Sequence, residues 1–339
     1  RCRIIQRAES GLLRLDRYTG IMPRALNLFS SGALSEIEAL QPDLIHLHWI
    51  HGGLLAIPEL PRLSTPIVWT LHDAWGYCGA EHHHASGDLR YQTGYHSGAD
   101  FWNRLVWKKK RTHWESWNPA CICPSNWLQR EARQSILFGN KDLHHIPNCV
   151  NTDIFTAQNR AQCRRKLGFA PNDRVLMFGA MSLSDRNKGG EELWQALTLL
   201  KQRGVSDLKL LLVGSSNPSR TLPFPAVQTG NISSPEQMAD LYRAANLFVL
   251  ASKYDNLPNM LLESIACGTP AVAFPSGGIP EIINVPTNGI LARSISAEAL
   301  ADALQQALAH PTSPAPDAVS QYTPARIAQT HLSLYSQLT

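Results

Sequence analysis

Several features are missing from this sequence of 339 residues. No run approaches the ~18 consecutive apolar residues that a membrane-spanning helix needs, and no signal peptide is expected. Neither sign of charge dominates: 31 basic and 27 acidic side chains leave a formal net charge of +4, too mild to imply a nucleic-acid partner. The seven cysteines form no Cys-x-x-Cys pair, so neither a zinc ribbon nor a disulfide scaffold is indicated, and a reducing cytoplasm fits best. An Asp-x-Asp motif is absent. Histidine is nearly absent from the second half, eleven of the 13 lying between His46 and His145, which points to two domains with different duties.

What is present is ordinary for a globular chain with a sizeable core: 44% hydrophobic and 17% charged residues, at a length that suits two domains. Short apolar segments bounded by Pro, Gly, Ser or Asn predict strands at 43–48, 66–71, 120–123 and 143–147, then at 175–178, 208–213, 247–250 and 271–274. Helical periods alternate with them at 191–202, 235–245 and 258–267, and Ser125 is a predicted N-cap. That alternation means βαβ units and parallel sheets. The predicted fold class is α/β, with two Rossmann-like, doubly wound domains facing a cleft. Their expected spans are 1–155 and 156–315, with 316–339 as a closing helical segment that returns to the first domain.

Three constellations could carry chemistry. In YDNLPNMLLESIACGTPAVAFPSGGIPEII (254–283), Asp255 sits on a loop after a strand, Pro258 opens a helix, and Gly268 closes it. On a helical wheel Leu261, Leu262, Ile265 and Ala266 form the core face, and Glu263 points away from it. Both acids can be read as solvated, or as lining the carboxyl-end crevice of a parallel sheet, where a carboxylate accepts two hydrogen bonds from a sugar diol. In FGAMSLSDRNKGGEEL (178–193), Arg186 and Lys188 precede a helix amino terminus, where a diphosphate can bind. In PIVWTLHDAWGYCGAEHHH (66–84), His72 and Asp73 follow a strand end, and Asp73 could fix the His72 tautomer or bind acceptor hydroxyls.

The first segment resembles the E-x7-E region of retaining GT-B glycosyltransferases, the large family-4-like group that builds bacterial polysaccharides. The resemblance covers roughly Asp43 to Arg293. It implies an enzyme that moves a sugar from a nucleotide-sugar donor to a glycan or lipid-linked acceptor, with retention of configuration. Glu263 would hold the donor ribose. Asp255, with the backbone of Asn256 and Leu257 and with Gly179, would hold the donor sugar. Arg186 and Lys188 would neutralise the departing diphosphate. His72 and Asp73, in a TLHD-x-W context, would lie in the donor–acceptor pocket, and Glu81 and His82 would extend the acceptor site. No cofactor and no metal are expected, although His46, His48, His51 and His82–His84 invite a metal reading. Relatives often carry four cysteines after TLHD-x-W. Glu81, Leu89, Tyr95 and Gly98 stand in their places, so no cysteine site is expected. Alternatives are a nucleotide-sugar epimerase of the same architecture and a non-catalytic glycan- or partner-binding relative.

The segment FWNRLVWKKKRTHWESW (101–117) carries two readings side by side: a helix on the sheet with solvated Lys108–Arg111, or a surface for peripheral contact at the inner face of a membrane. Nothing in RCRIIQRAESGLLRLDRYTG resembles the first strand and glycine-rich loop of relatives, so the first domain is expected to lack its first strand.

Overall fold

The computed structural model describes residues 2–15, 23–85, 87–96, 99–182, 185–215 and 221–339. Leu183 and Ser184 of the second constellation, and Gly98, lie outside the described residues. Backbone contacts divide the chain into two units: Arg1–Pro147 with Gln329–Thr339, and Asn148–Ala328. No described helix is long and apolar enough to cross a membrane.

The first unit holds a parallel four-stranded sheet in the order β1-β2-β3-β4, formed by Ile45–Leu47, Ile67–Thr70, Ala120–Cys123 and Asp142–His145. Every residue of β2 and β3 is buried, which is why both read as uninterrupted apolar runs. Over the sheet lies an aromatic cluster in which Trp69 meets Trp75, Trp114 and Phe138 edge-on. Helix Phe101–Trp114 supplies Trp114 and begins at an N-cap, where the Asp100 carboxylate accepts from the backbone N–H of Asn103.

The basic run within that helix is not uniformly solvated. Lys110 is fully buried, its Nζ donating to the carbonyls of Trp75, Cys78 and Gly79 and standing 3.5 Å from the centre of the Trp75 ring. Neither reading of the run anticipates this. The ammonium satisfies carbonyls of the turn that follows β2, and burial pushes its pKa well down.

The second unit holds a parallel six-stranded sheet in the order β10-β9-β8-β5-β6-β7. In chain order these strands are β5 (Arg174–Ser182), β6 (Leu208–Ser215), β7 (Ala226–Gly230), β8 (Leu247–Leu250), β9 (Ala271–Ala273) and β10 (Gly289–Leu291). Alternate residues feed two cores, one on each face: Val175, Met177, Leu211 and Phe248 on one, Leu176, Phe178, Leu210 and Val249 on the other. Counted from β5, the order is that of a doubly wound dinucleotide-binding sheet. The chain winds outward through β6 and β7, then returns to place β8 on the other side of β5. Ligands of such sheets bind beyond the carboxyl ends of the strands at that switch point.

Candidate functional site

The switch point falls between β5 and β8, and the loops that leave these two strands carry five of the predicted residues, Arg186, Lys188, Asp255, Asn256 and Leu257. The loops are tied to each other. Asp185 caps the short turn Arg186–Lys188 by accepting from the N–H of Asn187. Buried Asn187 then donates through Nδ2 to the carbonyl of Tyr254 at 2.9 Å, and its own carbonyl accepts from the N–H of Lys253 at 2.8 Å. Lys188 Nζ reaches Asp255 Oδ2 at 3.1 Å.

Two glycines permit this closeness. Gly189 has φ +66°, and a Cβ there would lie 2.0 Å from the carbonyl oxygen of Ala251. Gly277, at φ +57°, would carry a Cβ 1.8 Å from the carbonyl oxygen of Asp255, while the N–H of Gly278 donates to that same oxygen at 3.1 Å. The GGIP run therefore holds the Asp255 backbone from below. Within β5, Gly179 allows Met260 to approach: a Cβ there would meet the Met260 methyl at 2.6 Å. Gly179 thus brings the strand against helix Asn259–Ala266, which carries Glu263.

Asn256 and Leu257 are buried, and the Leu257 side chain belongs to the core. Its carbonyl accepts from Nδ2 of Asn148 at 3.0 Å. Pro258 stands one position outside the helix as its N-cap, and Gly268 takes φ +75° just beyond the other end. Glu263 is not directed into bulk water as the wheel implied. The neighbouring helix Pro235–Ala244 presents Tyr242, whose hydroxyl donates to Glu263 Oε2 at 3.0 Å. Burial raises the pKa of the carboxyl and drives that of the Tyr242 hydroxyl well up. Arg186 is exposed.

In the first unit, histidines gather at the carboxyl ends of β1 and β2. His46 bridges the Tyr335 hydroxyl at 2.5 Å and Thr70 Oγ1 at 2.8 Å. His48 Nδ1 lies 3.0 Å from His72 Nε2, their rings stacked. Asp73 has two hydrogen-bonding partners. One carboxylate oxygen accepts from the N–H of Trp75, and the other pairs with His82 Nδ1 at 2.7 Å. Asp73 is the N-cap of the turn at 74–76, which fixes its carboxylate beside the Trp75 N–H, and His82 on the returning chain takes the other oxygen. Burial first, and the neighbouring His48 next, lower the pKa of His72, which favours the neutral imidazole.

Glu81 faces inward. Its Oε1 accepts from the Tyr95 hydroxyl at 2.5 Å and lies 3.5 Å from Arg90, and burial raises its pKa. The positions where relatives carry cysteines are therefore partly bridged by hydrogen bonds. His82 is buried, with Trp49 stacked on it at 5.0 Å. No metal was expected, yet His51, Asp73 and His82 place ligand-type atoms within 4.8 Å of one another. Each of the three already has a hydrogen-bonding partner, His51 through Asn27 Oδ1 at 2.8 Å. Tyr242, Asn148, Asn27 and Trp49 were not singled out from the sequence. Each meets its partner from a distant segment.

Residues 11–154 match the family described as Glycosyltransferase Family 4, and residues 172–310 match Glycosyl transferases group 1. A D-inositol 3-phosphate glycosyltransferase of Segniliparus rotundus is 25% identical over 292 residues, covering 82% of this chain and 61% of that protein. The putative teichuronic acid biosynthesis glycosyltransferase TuaC of Bacillus subtilis is 26% identical over 271 residues, covering 78% and 61%. The chain thus spans about three fifths of the length of these curated relatives. Among solved structures, sucrose-phosphate synthase from Thermosynechococcus elongatus aligns with a TM-score of 0.67 at 22% identity, covering 90% of this chain and 77% of that one. Anabaena Alr3699/HepE in complex with UDP-glucose aligns at 0.65 and 18%, covering 90% and 82%. Both likenesses show the fold.

Proposed function

From a chain that belongs to the family-4-type GT-B glycosyltransferases, we propose an enzyme that moves a sugar from a nucleotide-sugar donor onto a glycan or lipid-linked acceptor, with retention of anomeric configuration. The observation that carries this reading is the meeting of Lys188 with Asp255 beyond β5 and β8, beside the helix that bears Glu263. A cation for a diphosphate and carboxylates for sugar hydroxyls stand where a doubly wound sheet binds nucleotides.

In this reading Glu263 accepts from the ribose hydroxyls. Asp255, with the backbone of Asn256 and Leu257, accepts from and donates to the donor sugar, and Gly179 lets the helix that bears Glu263 close on β5 beside it. Lys188 exchanges its contact with Asp255 for the diphosphate, aided by Arg186. The acceptor oxygen forms its bond to the anomeric carbon as the bond from that carbon to the diphosphate oxygen breaks, and the acceptor proton passes to that departing oxygen on the same face. The two cations neutralise the leaving charge, and no metal is required. On the first unit, neutral His72 and Asp73 bind acceptor hydroxyls, His82 orients Asp73, and Trp49, 55% exposed, offers a face to a sugar ring. Glu81 supports that region from inside. The reaction takes place in the cytoplasm, with a lipid-linked acceptor reached at the membrane's inner face.

A thermal-shift screen of nucleoside diphosphates and their sugars tests the reading. A true ligand at 100 times its dissociation constant stabilises by ~2.7 kcal/mol. Stabilisation lost in Glu263→Ala supports the ribose role, and normal binding by that variant contradicts it. Sugar transfer that needs an added acceptor separates this enzyme from an epimerase.

A further inference from the structure

Helix Phe101–Trp114 has a second face that the sugar-transfer chemistry does not use. Asn103, Val106, Lys110 and Trp114 are buried on one side. On another, Arg104, Lys108 and Arg111 fall four and three positions apart, so the three cations share one surface. With Tyr95, His96 and Trp107 they line a cavity of about 660 Å³. Glu115 is the one acid in that lining, and Arg104, Lys108 and Arg111 are all exposed. Among the described residues, none of these three cations forms an ion pair with a carboxylate.

At the base lies Trp107, only 4% exposed. Its ring is ordered by neighbours: the Arg111 guanidinium stands 5.5 Å from its centre, and the His96 ring meets it edge-on at 5.7 Å. Yet its Nε1–H is buried and has no acceptor among the described residues. Buried indole N–H groups normally find one. Three cations without a carboxylate partner, on a lining shared with an indole whose N–H has no acceptor among the described residues, describe a ligand that is anionic and rich in oxygen.

We propose that this cavity binds a phosphate group, whose oxygens accept from Trp107 Nε1–H and from the forked guanidinium groups of Arg104 and Arg111, with Lys108 adding charge. Phosphate carries nearly two negative charges and three strong acceptor oxygens, which matches three cations and a neutral donor better than a carboxylate does. The assignment deepens the proposed function: the acceptor is a phosphate-bearing saccharide or lipid, held by its phosphate away from the reacting hydroxyl. Only the identity of the ligand as acceptor rests on that reading; phosphate binding itself does not.

The test uses the full chain with 15N-labelled tryptophan, the Trp107 indole resonance being identified by its loss in Trp107→Phe. Titration with inorganic phosphate at constant ionic strength shifts that resonance saturably, and Arg104→Gln with Lys108→Gln weakens binding about tenfold, the effect of losing one charge-assisted hydrogen bond. An unmoved resonance, or an equal shift with sodium chloride, overturns the proposal. Should Trp107→Phe fail to fold, the double variant at exposed positions still identifies the site by its altered titration. Co-sedimentation with phosphatidic acid vesicles, lost in the double variant, identifies a lipid source. Competition by glucose 6-phosphate without vesicle binding identifies a soluble one, and binding of neither overturns the acceptor assignment. Lys188→Ala leaves the Trp107 titration unchanged, so failure at the nucleotide site is distinguishable from failure here.

Discussion

Lys188 and Asp255 are separated by three strands in sequence, yet their charged ends stand 3.1 Å apart, the lysine side chain 38% exposed and the aspartate 19%. A partly exposed pair of this kind adds little to stability, about 0–1 kcal/mol. Lys188→Ala is therefore expected to melt within about 0.5 kcal/mol of the parent, while kcat falls on the order of a hundredfold through loss of leaving-group neutralisation. Parallel melts and initial rates check this, and a large stability loss with normal kcat would refute the division of labour.

Glu263 gives a pH signature. In the proposed role its carboxyl, raised by burial, must be ionised to accept twice from a ribose. Donor affinity should weaken as pH falls, with a midpoint above the ordinary carboxylate range. The Tyr242 hydroxyl holds that value down, so Tyr242→Phe should move the midpoint upward. Calorimetry across pH measures both. A midpoint unaffected by Tyr242→Phe would show that the hydrogen bond does not bear on the binding carboxylate.

Lys110→Met removes the ammonium that satisfies the carbonyls of Trp75, Cys78 and Gly79. With those carbonyls left buried, a loss of about 3 kcal/mol or more is expected in the first unit. Chemical denaturation followed by tryptophan fluorescence reports it. Nucleotide binding, which the proposed function assigns to the other unit, should survive wherever the variant remains folded.

Burial lowers the pKa of His46 to about 4 and of His51 to about 3, from an ordinary 6.5. The unfolded chain therefore takes up protons first as pH drops. The stability these groups contribute is complete above about 6.5 and is lost progressively toward 4 and 3. The melting temperature should fall across that window, and the fall should be shallower in His51→Gln. An identical slope in the variant would remove His51 from the explanation.

Reading the sequence succeeded where both faces of a strand are buried. β3 and β8 coincide with their predicted spans because ACIC and LFVL are apolar at every position. The strands at the two edges of the second sheet escaped notice: β7 mixes Gln and Thr with Ala and Val, and β10 is three residues long. Helix Ala297–Ala309 was also passed over, since alanine marks its buried positions with small side chains. In the site, the loops bearing Lys188 and Asp255 were legible from their glycines and charges. The partners of Asp73 and Glu263 were not. Asp73 finds His82 only because the turn at 74–76 doubles the chain back, and Glu263 meets Tyr242 from an adjacent helix. Helical periodicity reports which positions face a core; it carries no information about which polar group a neighbouring element will supply.

The hydrogen bond from Tyr335 to His46 sets a schedule for biogenesis. The strand bearing His46 leaves the ribosome early, but the phenol that completes its polar environment is made only after all of 148–328 has emerged. The second unit can close on its own contiguous segment, whereas the first holds an unfinished histidine end until the last helix arrives. The histidine end of the first unit is therefore completed by a segment made after the whole of the second.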